Sequence, residues 1–262
     1  MSERRFVRLE VDGHVAIVSL ARPEALNALS GAMADEVTQT FREVAGDDDA
    51  WVVLLRADGD KAFCVGADLK ERSSFDGDDF YRNREQIKGL FAAIRATPQP
   101  VVAAIFGYAL GGGFELALSA DVIVAAEGTE MGLPEARVGL LPAGGGTQLL
   151  ARRIGLGRAK EMIFRGRRVD AREARDAGIV AEVVDPARLD DRAFGMARDI
   201  CLSSPVATRA AKHAIDHGQS RDVDEAIGGV EDEAWKIVIE SEDRREGIAA
   251  FNEKREPKWR NR

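Results

Sequence analysis

The order of hydrophobic patterns predicts an α/β protein with a parallel sheet and an all-helical C-terminal segment. Three observations carry this. The apolar run at 52–56, followed later by those at 101–106 and 122–126, is continuous rather than alternating, as in strands covered on both faces. Helical stretches separate these runs with irregular spacing and no residue-level repeat, which favours parallel pairing through crossovers. From about Pro186 onward no strand pattern remains.

Taken in order, residues 6–10 and 14–20 read as two strands joined at Asp12 and Gly13, a hairpin dipeptide. The stretch RPEALNALS ends the second strand. Ser30 then stands as N-cap of a helix over 31–45, with Met33, Val37, Phe41 and Val44 on its apolar face. After the strand at 52–56 comes KAFCVGADLKERSSFDGDDFYRNR, small and apolar at first, then polar and aperiodic, which predicts a mobile loop before a helix over 79–96. The strand at 101–106 leads into GYALGGGFELALSADVIVAAEGTEMGLPE, read as a glycine-rich turn, a short helix, a strand and a loop. A second glycine cluster, Gly144 to Gly146, precedes a helix carrying Leu149, Leu150 and Ile154. It lacks the lysine and Ser or Thr that would close a phosphate loop, so close helix packing is the expected role. Asp170 with Glu173 caps the next helix, Gly178 ends it, and a strand follows over 179–184. The helical remainder covers 189–202, a helix from Pro205 capped by Ser204, 222–240 and a last helix from Ser241. Its Trp235, Ile237, Val238, Ile248 and Phe251 suggest packing on another subunit.

Composition narrows the function classes. With 262 residues, 45% hydrophobic and 31% charged, the chain can bury one large core plus an appendage. A formal charge of −8 argues against a general nucleic-acid or anionic-membrane binder. Cys64 and Cys201 form no disulfide framework, and His14, His213 and His217 offer only one helical pair, so no metal is expected. No apolar window reaches membrane-spanning length and no signal core opens the chain, which points to the cytoplasm.

Chemistry concentrates between Gly107 and Glu135. Glu115 falls in the first turn of the helix after Gly111, Gly112 and Gly113, where free N–H groups and the helix dipole can hold an oxyanion. Glu135 lies twenty residues on, so only the fold could unite the two. Taken alone, a triple glycine is a tight turn and a first-turn glutamate is a dipole partner. Phe114, Leu116, Ala117 and Leu118, however, make this helix apolar almost all round, and a buried carboxylate needs a reason. A pair of carboxyl groups beside fixed donors suits the addition or removal of water across an activated double bond.

Six landmarks in order, RPEALNALS, KAFCVGADLKE, GYALGGGFELALSAD, MGLPEARVGLLPAGGGTQLLAR, DAREARDAGIVAEVV and SEDRREGIAAFNEKR, resemble the enoyl-CoA hydratase (crotonase) superfamily along the whole chain. The resemblance implies a crotonase-type spiral of ββα turns over 1–200 and a helical trimerisation region over 201–262. It also implies a homotrimer or hexamer acting on acyl-CoA thioesters, with coenzyme A as part of the substrate and no separate cofactor. Backbone N–H groups at Ala67 and Gly112 match the positions that polarise the thioester carbonyl, and Glu115 with Glu135 match the glutamates of the hydratase branch. Ala25, Asp68, Leu69, Lys70, Phe251 and Lys254 match substrate-binding positions, the last two sometimes supplied by a neighbouring subunit. Glu24 departs from the pattern, standing where relatives often carry a lysine.

Three rivals follow from the same residues. An isomerase of the family would need only one proton-shuttling carboxylate, and a scaffold that had lost catalysis would need neither. An RNA-binding relative carries a lysine-rich first helix, whereas 31–45 here has Asp35, Glu36, Arg42 and Glu43 and no lysine, so no nucleic-acid partner is expected. Within 71–88, Phe75, Phe80 and Tyr81 are the large apolar groups of an expected mobile wall near the acyl end. Arg82, Arg84 and Lys88 would meet a distal carboxylate, as of a methylglutaconyl group, or simply be solvated. The sequence favours a short to medium unbranched enoyl group.

Overall fold

The computed structural model describes residues 4–262. Strands β1 (Val7–Asp12) and β2 (Val15–Leu20) form the expected antiparallel hairpin, but its turn is one residue later than the sequence suggests. Asp12 pairs with Val15, leaving Gly13 and His14 in the turn, with Gly13 at φ +59°. In the turn the His14 ring stacks on Trp51 at 3.5 Å, and its carbonyl accepts the Trp51 N–H (2.8 Å).

Helix α1 (Gly31–Ala45) starts where Ser30 Oγ accepts the Met33 N–H, and it buries Met33, Val37, Phe41 and Val44. The chain then winds through β3 (Val52–Ala57), β4 (Ala62–Cys64), α2 (Leu69–Arg72), α3 (Gly77–Ala96), β5 (Val101–Ile105), β6 (Tyr108–Leu110), α4 (Gly112–Leu118), β7 (Val122–Ala126) and β8 (Glu130–Gly132). Next come α5 (Gly146–Ile154), α6 (Leu156–Arg165), β9 (Arg168–Asp170), α7 (Ala171–Asp176) and β10 (Glu182–Val184). Three times the chain passes from a six-stranded sheet, β1-β2-β3-β5-β7-β10, into a four-stranded one, β4-β6-β8-β9, and then into helix. These are the ββα turns of a spiral. From β2 to β10 the large sheet is parallel, and its strands are covered on both faces. Val53, Leu55, Ala103 and Ile105 pack toward the spiral interior, while Val52, Leu54, Val102 and Ala104 meet Leu189, Ala193 and Ala197 of α8 (Leu189–Cys201).

The small sheet has no counterpart in the sequence reading. Its strands are three residues long, too short to display a two-residue period, and their hydrogen bonds depend on neighbours far along the chain. The strand expected over 179–184 shortens to β10 because Ile179 and Val180 turn their N–H groups back to the Ala174 carbonyl, closing α7. The polar stretch read as a mobile loop is largely helical. Asp68 caps α2, and Asp76 with Asp79 forms a reciprocal capping box that starts α3.

Beyond α8 the regular elements of the described chain are all helical, α9 (Pro205–Gly218), α10 (Val223–Ala226), a π turn at Ile227–Glu231, α11 (Asp232–Glu240) and α12 (Glu242–Glu253), and residues 254–262 follow without regular structure. On the single chain Trp235, Ile237, Ile248 and Phe251 are exposed.

Candidate active site

Two backbones meet closely at the start of α4. Gly111 at φ +54° turns the chain into the helix, and Gly66 at φ +91° brings the segment after β4 so near that a Cβ on it would lie 2.9 Å from the Gly112 nitrogen. The Gly66 segment is fixed from its other side by Leu29, whose N–H donates to the Gly66 carbonyl (2.7 Å) and whose carbonyl accepts from Asp68 (3.0 Å). In this parallel bridge the Ala67 N–H takes no part. Gly112, as the first residue of α4, has no intrahelical acceptor either. Among the described residues both N–H groups are unpaired, both residues are half-buried, and a Cβ on Gly112 would stand 3.7 Å from the Ala67 nitrogen.

Glu115, one turn into α4, is 3% exposed. Its Oε1 accepts hydrogen bonds from the Gly144 N–H (2.8 Å) and the Gly146 N–H (2.7 Å). The second glycine cluster, expected to serve helix packing, is therefore a cradle for a carboxylate. Its residues must be small. A Cβ on Gly144 would overlap the buried Phe91 ring and press on Glu115 Oε2, and one on Gly146 would lie 2.8 Å from Leu133 Cδ1. Burial raises the Glu115 carboxyl above its ordinary range, opposed by the N–H groups of the 144–146 loop and by the Arg95 cation.

Glu135 opens the 3-10 turn Glu135–Val138 after β8, and its carboxylate lies against Gly111, where a Cβ would stand 2.9 Å from Oε1. Its Oε2 is buried without a hydrogen-bond partner. Burial, together with the nearby Glu115 charge and against one backbone N–H, pushes its carboxyl up to about 7. The fold thus unites the four residues 67, 112, 115 and 135 around the first turn of α4. Two carboxyl groups, near enough for the charge of one to act on the other, sit in unequal surroundings, one gripped by donors and one not.

A sequence profile of the family described as Enoyl-CoA hydratase/isomerase matches residues 10–262. The chain belongs to the enoyl-CoA hydratase/isomerase family. A short-chain-enoyl-CoA hydratase from Clostridium acetobutylicum is 37% identical over 252 residues, covering 95% of each chain. The mitochondrial methylglutaconyl-CoA hydratase of Mus musculus is 35% identical over 263 residues, 98% of this chain and 83% of that protein. In structure the chain resembles an enoyl-CoA hydratase from Bacillus anthracis, with a TM-score of 0.96 and 39% identity over 98% of this chain and 100% of that one.

The outer residues of this family member are less uniform. Asp68, matched to substrate binding, is 7% exposed, and its carboxylate is committed to the Arg22 guanidinium (2.7 Å) and to the Lys70 and Glu71 N–H groups (2.9 and 3.1 Å). It holds the Ala67 segment in place and has little left for a ligand. Leu69 and Lys70 project from α2 into solvent, and Ala25 is half-buried in the 3-10 turn Pro23–Ala25. That turn is anchored by buried Asn27, whose amide donates to the Asp58 and Ala62 carbonyls (2.9 and 3.1 Å), a support that RPEALNALS did not disclose. Phe251, 84% exposed, and Lys254 lie on and just beyond α12, and no hydrogen bond joins α12 to α2 or α4 among the described residues. Within one chain they are not brought to the site.

Proposed function

We propose that the enzyme adds water reversibly across the C2–C3 double bond of a 2-enoyl-CoA thioester. The Ala67 and Gly112 N–H groups receive the thioester oxygen as it gains charge. Glu115, ionised, takes a proton from water as its oxygen bonds C3, and Glu135, protonated, delivers a proton to C2. The observation that carries this reading is the juxtaposition of two unpaired backbone donors with two carboxyl groups of unlike surroundings. Environments that separate the acidities of paired carboxyls assign the base and the acid. Coenzyme A enters as part of the substrate, and the reaction calls for no separate cofactor or metal.

Short to medium unbranched enoyl groups fit best. Arg82, Arg84 and Lys88, the candidates for a distal carboxylate, are exposed and lie beside acids of their own helix, Asp79 and Glu85, which supports the solvated reading. A homotrimer or hexamer, a cytoplasmic location and the lack of a nucleic-acid partner complete the proposal. Initial rates of enoyl absorbance loss over short, long, branched and carboxylated 2-enoyl-CoA thioesters test it. Crotonyl-type substrates should lead, and Glu115→Gln and Glu135→Gln should each abolish hydration. Loss of hydration in both counts against an isomerase of the family, and full hydration by either variant would overturn the two-carboxyl mechanism.

A further inference from the structure

Behind α4, at the end away from Gly112, a cleft of about 810 Å³ opens between α9 and the start of β5, the end of α4 and α5. Its charged walls are mostly spoken for. Lys212 binds Asp121 (2.6 Å) and the Gln99 carbonyl (3.0 Å), Arg153 donates to the Leu118 and Ala120 carbonyls (3.3 and 2.6 Å), and Arg152 turns back to Gln148 of its own helix. Arg95, in the last turn of α3, forms no ion pair among the described residues. Its Nη1 stands 3.5 Å from Ser119 Oγ, which itself donates to the Glu115 carbonyl (2.8 Å). The same Nη1 would lie 3.7 Å from a Cβ on Gly145, the residue between the two glycines whose N–H groups grip the Glu115 carboxylate.

We propose that Arg95 is a positioning residue for Glu115: from the back of the 144–146 loop its guanidinium steadies the carboxylate cradle and favours the ionised base without touching substrate. This rests on Glu115 being the base. An arginine suits the place because its charge is permanent and its planar fork can lie along a loop backbone. Burial pushes the Arg95 guanidinium down and the Glu115 carboxyl up, and each charge opposes that shift in the other. Glu115 otherwise faces the loop N–H groups and, from the 3-10 turn, Glu135. The cleft around Arg95 also carries Arg152 and Arg153 of α5, Asp121, and Lys212, Asp216 and His217 of α9.

The test is a set of pH profiles of kcat/KM for wild type, Arg95→Met, Arg95→Gln and Arg95→Lys, with Glu115→Gln as reference. Without the cation Glu115 stays protonated to higher pH, so the acidic limb should move up by about half a pH unit in Arg95→Met and Arg95→Gln. KM should change little, and Arg95→Lys should keep the wild-type limb. An unmoved limb in folded Arg95→Met or Arg95→Gln overturns the proposal, as does an equal loss at every pH in all three variants, which would mark packing alone. Should Glu115→Gln hydrate at the wild-type rate, the assignment of the base itself fails, and that failure is read without any Arg95 variant.

Discussion

At the scale of single residues the site depends on what is missing from Gly66, Gly111, Gly144 and Gly146 as much as on two glutamates. Gly144 has no room for a methyl group between Phe91 and Glu115. Gly144→Ala should therefore displace the carboxylate, lower kcat sharply and cost about 1–3 kcal/mol of stability through overpacking, measured by denaturant unfolding alongside steady-state rates. Glu135 carries a pH signature of its own. Its carboxyl rises from the ordinary 4.5 to about 7 on folding. Below 4.5 both folded and unfolded chains hold the proton. Between 4.5 and 7 only the unfolded chain releases it, so stability present at low pH is lost as pH rises to about 7. Glu135→Gln should accordingly stabilise the protein at pH 8 by roughly 1–3 kcal/mol and leave stability at pH 4.5 unchanged. Thermal unfolding at both values checks this, and equal effects at both would refute it.

At the scale of elements, the segment carrying Ala67 is held by a cap and an ion pair in one side chain. Asp68→Ala removes the α2 N-cap and leaves Arg22 half-buried without its partner. A loss of about 2–4 kcal/mol is expected, with kcat falling more than KM rises, because the donor at residue 67 loses its fixed direction. Elements of this kind divide according to what the sequence can show. Helices α1, α9 and α12 were legible because Ser30, Ser204 and Ser241 cap apolar periods long enough to recognise. Strands β3, β5 and β7 were legible because both faces are buried. The small sheet was hidden by its three-residue strands, and α2 by its length of four residues. In the site, Glu115 and Glu135 could be singled out as a possible carboxyl pair, and the helix start behind the triple glycine as an oxyanion holder, whereas the individual donors Ala67 and Gly112 rested on the resemblance. The grip of Gly144 and Gly146 on Glu115 spans about thirty residues and leaves no local trace in sequence.

For the whole molecule, the exposed apolar groups of α11 and α12 call for a partner surface. Trp235, Ile237, Ile248 and Phe251 are solvent-facing in the single chain, on helices with charged residues between them. A trimer or hexamer is expected by light scattering at micromolar concentration, and Trp235→Asp with Ile237→Asp should release monomers. If Phe251 and Lys254 complete a neighbour's substrate site, those monomers will show a raised KM; monomers with an unchanged KM would place both residues outside it.

The close approach of Gly66 to Gly112 also has a meaning for how such a chain can change over time. In the proposed mechanism the group that activates the thioester is written in backbone conformation, held by glycine torsions and by Leu29, Asp68 and Asn27 well behind it. The groups that decide where protons travel are ordinary side chains, replaceable one codon at a time. Substitution at 115 or 135 therefore leaves the power to stabilise an enolate intact while removing the instruction for what to do with it. A variant lacking both carboxyls should still bind thioester at the two N–H groups, a ready starting material for a different reaction.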